Sequence, residues 1–116
     1  MKTPCEKVLW FVLPAIRKEL VRSLVQEHGY TQRGTARLLG LSDAAVSQYL
    51  SKKRGKLDIK EKGFLAEVAT SADRIIRGGT KIVDQEMCRL CGILRSCKSF
   101  KYMIEKAKSQ TKSSKA

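Results

Sequence analysis

The sequence predicts an all-α protein: a compact helical bundle with a C-terminal helix and a disordered basic tail. Apolar residues recur at intervals of three and four along most of the chain, which is the period of a helix. Aromatic residues make up only 6% of the chain, and β-branched residues are scattered instead of alternating as they do in strands. With 116 residues, 42% of them hydrophobic, the chain is long enough for one compact domain and a short extension.

The first predicted helices precede Gly29. Thr3 is a capping residue, Pro4 suits the first helical position, and Glu6 stands three residues after the cap. Pro14 is expected either to kink this helix or to start a second one that ends at Gly29. The second stretch carries one apolar stripe made of Ile16, Leu20, Leu24 and Val25.

Two short helices are expected within residues 31–51, and two longer helices and a tail follow them. Residues 58–76 have helical spacing, Gly78 and Gly79 form a break, and a last helix is expected from about Lys81 into the nineties. Residues 106–116 contain only Lys, Ser, Ala, Gln and Thr, so nothing there can be buried. We therefore divide the chain into a helical domain (1–77), a cysteine-containing helical element (80–105) and a disordered basic tail (106–116).

The formal net charge of +13 is unevenly distributed. Residues 1–57 hold 11 Lys and Arg against 4 Asp and Glu, and residues 98–116 hold 6 against 1. Residues 58–97 are nearly balanced, at 7 against 6. A basic excess of this kind favours binding to a polyanion, because each neutralised phosphate releases condensed counterions. A solvated lysine-rich surface explains the same charge. A sequence motif is therefore needed to distinguish a protein that binds a polyanion from one with an ordinary basic surface.

Residues 31–51 supply that motif. Thr31 caps one short helix, which ends at Gly40, and Ser42 caps the next. A turn this tight needs a residue that tolerates the left-handed region, here Gly40, and a steep crossing of the two helices needs a small side chain, here Ala36. The space between the helices is expected to be filled by Leu39, Leu41, Val46 and Leu50.

The spacing of Ala36, Gly40 and Val46, with Gln32 before them, resembles the helix-turn-helix of the phage-repressor-like (Xre/Cro) transcriptional regulators, over roughly residues 15–75. An ordinary helical hairpin is the alternative. The resemblance implies a homodimer on double-stranded DNA, with the second helix of the motif in the major groove. It implies base contacts from Ser42, Asp43, Ala44, Ser47, Gln48 and Ser51.

Among these residues, Gln48 is the best reader of adenine, because an amide both donates and accepts hydrogen bonds at the N6/N7 edge. Asp43 either accepts from cytosine N4 or caps the helix, and one of the two alanines 44 and 45 must face inward. We assign phosphate contacts to basic and amide residues beside the motif, although the basic run after it also suits a solvated loop. These residues are Gln32, Arg33, Lys52, Lys53, Arg54 and Lys56.

Four cysteines form the second candidate site. Cys88, Cys91 and Cys97 lie within ten residues, and Cys5 joins them if the first helix packs against the last. Four thiolates suit a 4Fe–4S cluster or a tetrahedral zinc, and the residues alone do not separate the two. We also expect the basic residues around them to lower the thiol pKa values. Alternatively the cysteines are small apolar core residues without a metal.

The order of an N-terminal helix that starts with Thr-Pro-Cys-Glu, a helix-turn-helix and a C-terminal helix with Cys-x2-Cys also looks like that of a group of short predicted transcription regulators from archaea. Sequence-specific transcriptional regulation, with redox or metal sensing through the cysteines, is therefore our first hypothesis. The second is a coactivator-like bridging protein, or one associated with RNA or ribosomes. An antitoxin that represses its own operon is a third.

No enzyme is expected, because one histidine and no clustered carboxylates or phosphate-binding glycine loop leave no catalytic roles to assign. No small-molecule substrate is apparent. The apolar run of residues 8–16 is too short for a membrane span, and no membrane association is expected. We expect a cytoplasmic protein with reduced cysteines.

Overall fold

The computed structural model describes residues 4–51, 59 and 61–97, with side-chain surroundings from residue 12 onward. All regular elements in these residues are helical, which confirms the predicted all-α class. None of the described helices has both the length and the apolar character of a membrane span. The elements are α1 (Pro4–Arg22) with a π-helical extension (Ser23–Glu27), α2 (Gln32–Leu39), α3 (Asp43–Leu50), α4 (Lys62–Gly78), a 3-10 turn (Thr80–Ile82) and α5 (Val83–Arg95).

Helix α1 continues through Pro14 without interruption, so the alternative of a new helix starting there is wrong. A proline inside a helix removes one backbone hydrogen bond and crowds the preceding turn. Val12, Ala15 and Ile16 on either side of it are nevertheless all 0% exposed. Burial of a large aliphatic side chain stabilises a fold by about 1.5–3 kcal/mol, so packing on both sides of Pro14 offsets the lost bond.

The C-terminal end of α1 widens into the π-helical extension before the chain turns. The backbone N–H of His28 donates to the carbonyl of Ser23 at 3.1 Å, and that of Tyr30 donates to the carbonyl of Leu24 at 2.9 Å. Gly29 lies between them with a φ of 72°, in the left-handed region. This conformation ends the helix at the glycine that the sequence indicates.

Helix α1 is the centre of the bundle, because α3, α4 and α5 all pack against it. Helix α2 packs mainly on α3, and α4 packs on α5. One continuous core joins these helices. Its largest fully buried side chains, each at most 1% exposed, include Ile16, Leu20, Leu24, Phe64, Ile75, Leu90 and Leu94.

Helix α4 starts at Lys62, four residues after the predicted position, and ends at Gly78, where the glycine pair predicts a break. Ile59 lies outside the helix and is only 5% exposed. An apolar residue before a helix can enter the core from an irregular segment, and periodicity alone does not distinguish that case from a further helical turn.

Helices α4 and α5 are joined by a buried polar network that the sequence pattern did not reveal. Ser71, which is 0% exposed, donates its hydroxyl to Oε1 of Glu86 at 2.7 Å, and Nε of Arg89 donates to the same oxygen at 3.1 Å. Nη1 of Arg89 also donates to Oε1 of Glu67 at 2.7 Å. Arg74 lies 3.7 Å from the other carboxylate oxygen of Glu86. The guanidinium of Arg89 therefore bridges one carboxylate on each helix.

The carboxylate of Glu86 is stabilised in its charged form. Burial alone would raise the pKa of Glu86, but hydrogen bonds from Ser71 and Arg89 and the charges of Arg89 and Arg74 together hold it below the ordinary value of 4.5. A lowered pKa stabilises the folded chain fully above the pKa of the unfolded state, and this contribution is lost as the pH falls through the folded-state pKa.

We expect Glu86→Gln to lower the free energy of unfolding by about 1–3 kcal/mol at neutral pH, because it removes the buried negative charge that faces Arg89. The difference from the parent chain should narrow as the pH falls below about 4.5. Chemical denaturation followed by circular dichroism at a series of pH values measures both effects.

Asp73→Asn is the matched control. Asp73 forms an exposed pair with Arg77 on α4 at 3.2 Å, and such pairs contribute at most about 0.5 kcal/mol. A loss of stability in Glu86→Gln no larger than that of the control, or one that is independent of pH, would show that the network contributes no net stabilisation.

Candidate nucleic-acid interface

Helix α2 begins and ends, and helix α3 begins, at the residues that the sequence predicts. The hydroxyl of Thr31 accepts a hydrogen bond from the backbone N–H of Gly34 at 3.0 Å, and that of Ser42 accepts one from the N–H of Ala45 at 3.0 Å. Each hydroxyl satisfies one of the N–H groups that a helix leaves open at its start. Gly40 has a φ of 70°, in the left-handed region, which lets the chain turn directly from α2 into α3.

Gly34 is a determinant of this local structure that the sequence reasoning missed. A Cβ atom at this position would lie 3.1 Å from the capping oxygen of Thr31 and 3.6 Å from the ring of Tyr30. The first of these contacts is tighter than ordinary packing allows. A glycine three residues after a capping threonine is the signal that would have indicated this crowding.

The inner faces of the two helices are packed into the core. Ala36 is 2% exposed, Ala45 4%, Val46 0% and Tyr49 4%. The small side chain at position 36 meets the requirement for a close crossing, and Ala45 is the alanine that faces inward. Leu39 is also buried, whereas Leu41 and Leu50 are only partly buried against the same core. This packing fixes the orientation of α3 relative to α1 and α2.

The outer face of α3 is open to solvent. Gln48 is partly buried, and it is flanked by exposed residues that share its face of the helix. Small side chains there leave room for close approach to a groove, while an amide supplies both a donor and an acceptor. The exposed residues of this face, all of them predicted base contacts, are Ser42, Asp43, Ala44, Ser47 and Ser51.

Two of these polar groups already have partners within the protein. Asp43 lies 3.8 Å from Nε of Arg33, in a pair whose side chains are 63% and 75% exposed. Such an exposed pair is weak, so a phosphate can compete for Arg33 at little cost. The hydroxyl of Ser51 donates to the carbonyl of Gln48 at 3.2 Å, which caps the end of α3.

The predicted phosphate contacts are only partly within the described residues. Gln32 and Arg33 are exposed in the first turn of α2, next to the open N–H groups of that helix. The pair with Asp43 places Arg33 beside the start of α3. The basic run of residues 52–56, with Lys52, Lys53, Arg54 and Lys56, lies outside the described residues.

The cysteines of α5 face different surroundings. Cys88 is exposed and Cys91 is 8% exposed, although they are only three residues apart. Cys97 is half-buried after the end of the helix, with its Sγ 3.4 Å from the carbonyl oxygen of Ile93. Within the described residues no three His, Cys, Asp or Glu side chains are placed to hold a metal ion. The side chain of Cys5 is outside that set, so the four-cysteine site, with zinc or an iron–sulfur cluster, stays a prediction.

The expectation of lowered thiol pKa values is wrong for Cys97. Burial raises the pKa of the Cys97 thiol, and the negative charge of Glu61 raises it further. Arg89, one of the basic residues near the cysteines, is instead occupied by Glu67 and Glu86 in the network between α4 and α5. Proximity in sequence therefore did not place its positive charge beside a sulfur.

The fold and the geometry of α2 and α3 define an all-helical protein with a capped helix-turn-helix. No protein-family model, curated protein or solved structure matches the chain. The resemblance to the phage-repressor-like regulators thus rests on the spacing of Ala36, Gly40 and Val46.

We expect iodoacetamide to alkylate Cys88 about tenfold or more faster than Cys91 or Cys97 in the folded chain at neutral pH. The thiolate is the reacting species, and Cys88 is exposed, whereas Cys91 is buried and burial raises the pKa of the half-buried Cys97 thiol. Peptide mapping by mass spectrometry measures each rate, and labelling in denaturant is the control in which the rates converge. If all the cysteines are alkylated equally slowly, and a chelator speeds up all of them, the result would contradict this order and indicate a bound metal.

Proposed function

We propose that this chain is a sequence-specific DNA-binding transcriptional regulator that places α3 in the major groove. The observation that carries the proposal is the two-sided character of α3. Its inner face is anchored in the core through Ala45, Val46 and Tyr49, while its outer face presents small and polar side chains to solvent. A recognition helix needs both properties, because base contacts are specific only when their positions are fixed.

Charge supports the same proposal. The chain carries a formal net charge of +13, and residues 1–57, which contain α2 and α3, hold much of the excess. The first turn of α2 adds open backbone N–H groups and the exposed side chains of Gln32 and Arg33. Phosphate contacts of this kind set the register of a protein on the duplex and give binding that weakens with salt.

A dimer belongs to this proposal. Dimeric helix-turn-helix proteins bind two half-sites about one helical turn apart, roughly 34–36 Å, and obtain affinity from both. Selection from a random double-stranded DNA library, followed by sequencing and footprinting, tests the proposal. A two-fold symmetric site supports it. A failure to enrich any sequence, together with stable capture of transcription factors or ribosomes, would overturn it in favour of the bridging protein.

On the selected site, Gln48→Ala should relax base preference at one base pair and cost about 1–3 kcal/mol of specific binding, because the amide is lost from the groove. Binding to unrelated DNA at low salt should be unchanged. Gln85→Ala, which removes an exposed amide from α5, is the matched control. An unaltered preference in the Gln48 variant would remove this residue as a reader.

Replacing Lys53 and Arg54 together by Gln should flatten the dependence of binding on salt by up to about 2 units of the log–log slope, because two phosphate contacts are lost. The same change at Arg77 and Lys81 removes two exposed charges elsewhere and should leave the slope as it is. Fluorescence anisotropy over a range of salt concentrations measures the slope. Equal slopes in the two double variants would show that residues 53 and 54 are only solvated.

A further inference from the structure

A carboxylate lies at the start of the helix that faces the DNA in the proposed function. Asp43 is the first residue of α3 and the only Asp or Glu within residues 31–51. Its side chain is 63% exposed and lies four residues before Ser47, on the same outer face of the helix. A negative charge at this place is repelled by phosphates, so it lowers the affinity for DNA in general.

The start of α3 does not need this carboxylate as a cap. The hydroxyl of Ser42 accepts the hydrogen bond from the backbone N–H of Ala45 at 3.0 Å. The carboxylate of Asp43 instead lies 3.8 Å from Nε of Arg33, whose side chain is 75% exposed. An exposed pair of this kind contributes at most about 1 kcal/mol. Asp43 can therefore leave Arg33 for a better donor at little cost.

The base edges of the major groove differ in what they offer a carboxylate, which can only accept hydrogen bonds. Guanine and thymine present acceptors, which repel it. The amino group of adenine lies between two acceptors, its own N7 and O4 of the paired thymine. The N4 amino group of cytosine has an acceptor on one side only, O6 of the paired guanine. Cytosine is therefore the base that a carboxylate tolerates best.

We propose that Asp43 selects a cytosine in the DNA site by accepting a hydrogen bond from its N4 amino group, and that it weakens binding to DNA without a cytosine at that position. Arg33, released from the pair, then contacts a phosphate. This inference deepens the proposed function and rests on it. Asp43 and Gln48 are separated by roughly 7.5 Å along α3, at about 1.5 Å per residue, which assigns them to different base pairs.

A carboxylate in the first turn of a helix also has a structural role. It interacts with the positive end of the helix and stabilises it by about 0.3–1 kcal/mol. This contribution belongs to the folded chain and does not depend on the base that the helix meets. Base preference therefore distinguishes selection of cytosine from stabilisation of α3.

The test uses the full chain and the DNA site selected from the random library, with all four base pairs placed in turn at each position of the half-site. For the parent chain, we expect one position at which cytosine is preferred by about tenfold. Asp43→Asn should lose this preference and accept adenine there, because an amide both accepts from N6 and donates to N7. Its affinity for unrelated DNA at low salt should rise about threefold or more, because one negative charge is removed.

Asp73→Asn is the matched control. It makes the same change in net charge and also breaks an exposed ion pair, with Arg77 on α4 at 3.2 Å. We expect it to keep the cytosine preference and to raise the affinity for unrelated DNA less than Asp43→Asn does. Circular dichroism should show the same helical content in both variants. The inference is overturned if Asp43→Asn retains the cytosine preference of the parent chain, or if its affinity for unrelated DNA rises no more than that of the control.

The failure of this inference differs from the failure of the proposed function. A parent chain that selects no DNA sequence overturns the proposed function and the role of Asp43 with it. A parent chain that selects a site, but whose base preferences are the same after Asp43→Asn, overturns the role of Asp43 alone.

Discussion

Burial of helix α1 on several sides is the constraint on which the rest of the structure depends. Val12, Ala15, Ile16, Leu20, Val21 and Leu24 are all 0% exposed. A helix buried this completely must have neighbours on more than one side, and α3, α4 and α5 fill those places. Since α2 and α3 are only eight residues each, they are too short to be stable alone. The orientation of the exposed face of α3 is thus set by its packing against α1.

Electrostatic interactions have different roles in the two halves of the molecule. Between α4 and α5, the buried side chains of Glu86 and Ser71 bond to the half-buried Arg89, and removing Arg89 would leave the buried carboxylate without its main partner. The network links the two helices through hydrogen bonds from Ser71 and Arg89 to carboxylates on both of them. At the start of α2 and α3, the Arg33–Asp43 pair is exposed and weak. Breaking this pair therefore costs little free energy.

Helix α5 contacts three different parts of the molecule along its length. Its first turn lines a cleft beside the turn from α2 to α3, its middle carries Glu86 and Arg89 into the network with α4, and its last turns place Cys91 in the core. The cleft and Cys91 are therefore at different positions along one helix.

The sequence by itself determined the features that depend on neighbours three or four residues apart. The caps at Thr31 and Ser42, the left-handed turn at Gly40 and the end of α4 at Gly78 are local, and the residues that form them are adjacent in the chain. Tertiary structure alone decided that α1 continues through Pro14, that Ile59 is buried outside a helix, and that Arg89 pairs with Glu67, 22 residues away, and not with a cysteine. It also brought Arg17 and Asp84 to one cleft. These features depend on which helices pack together, and that choice is made by the summed burial of the core, which no local pattern records.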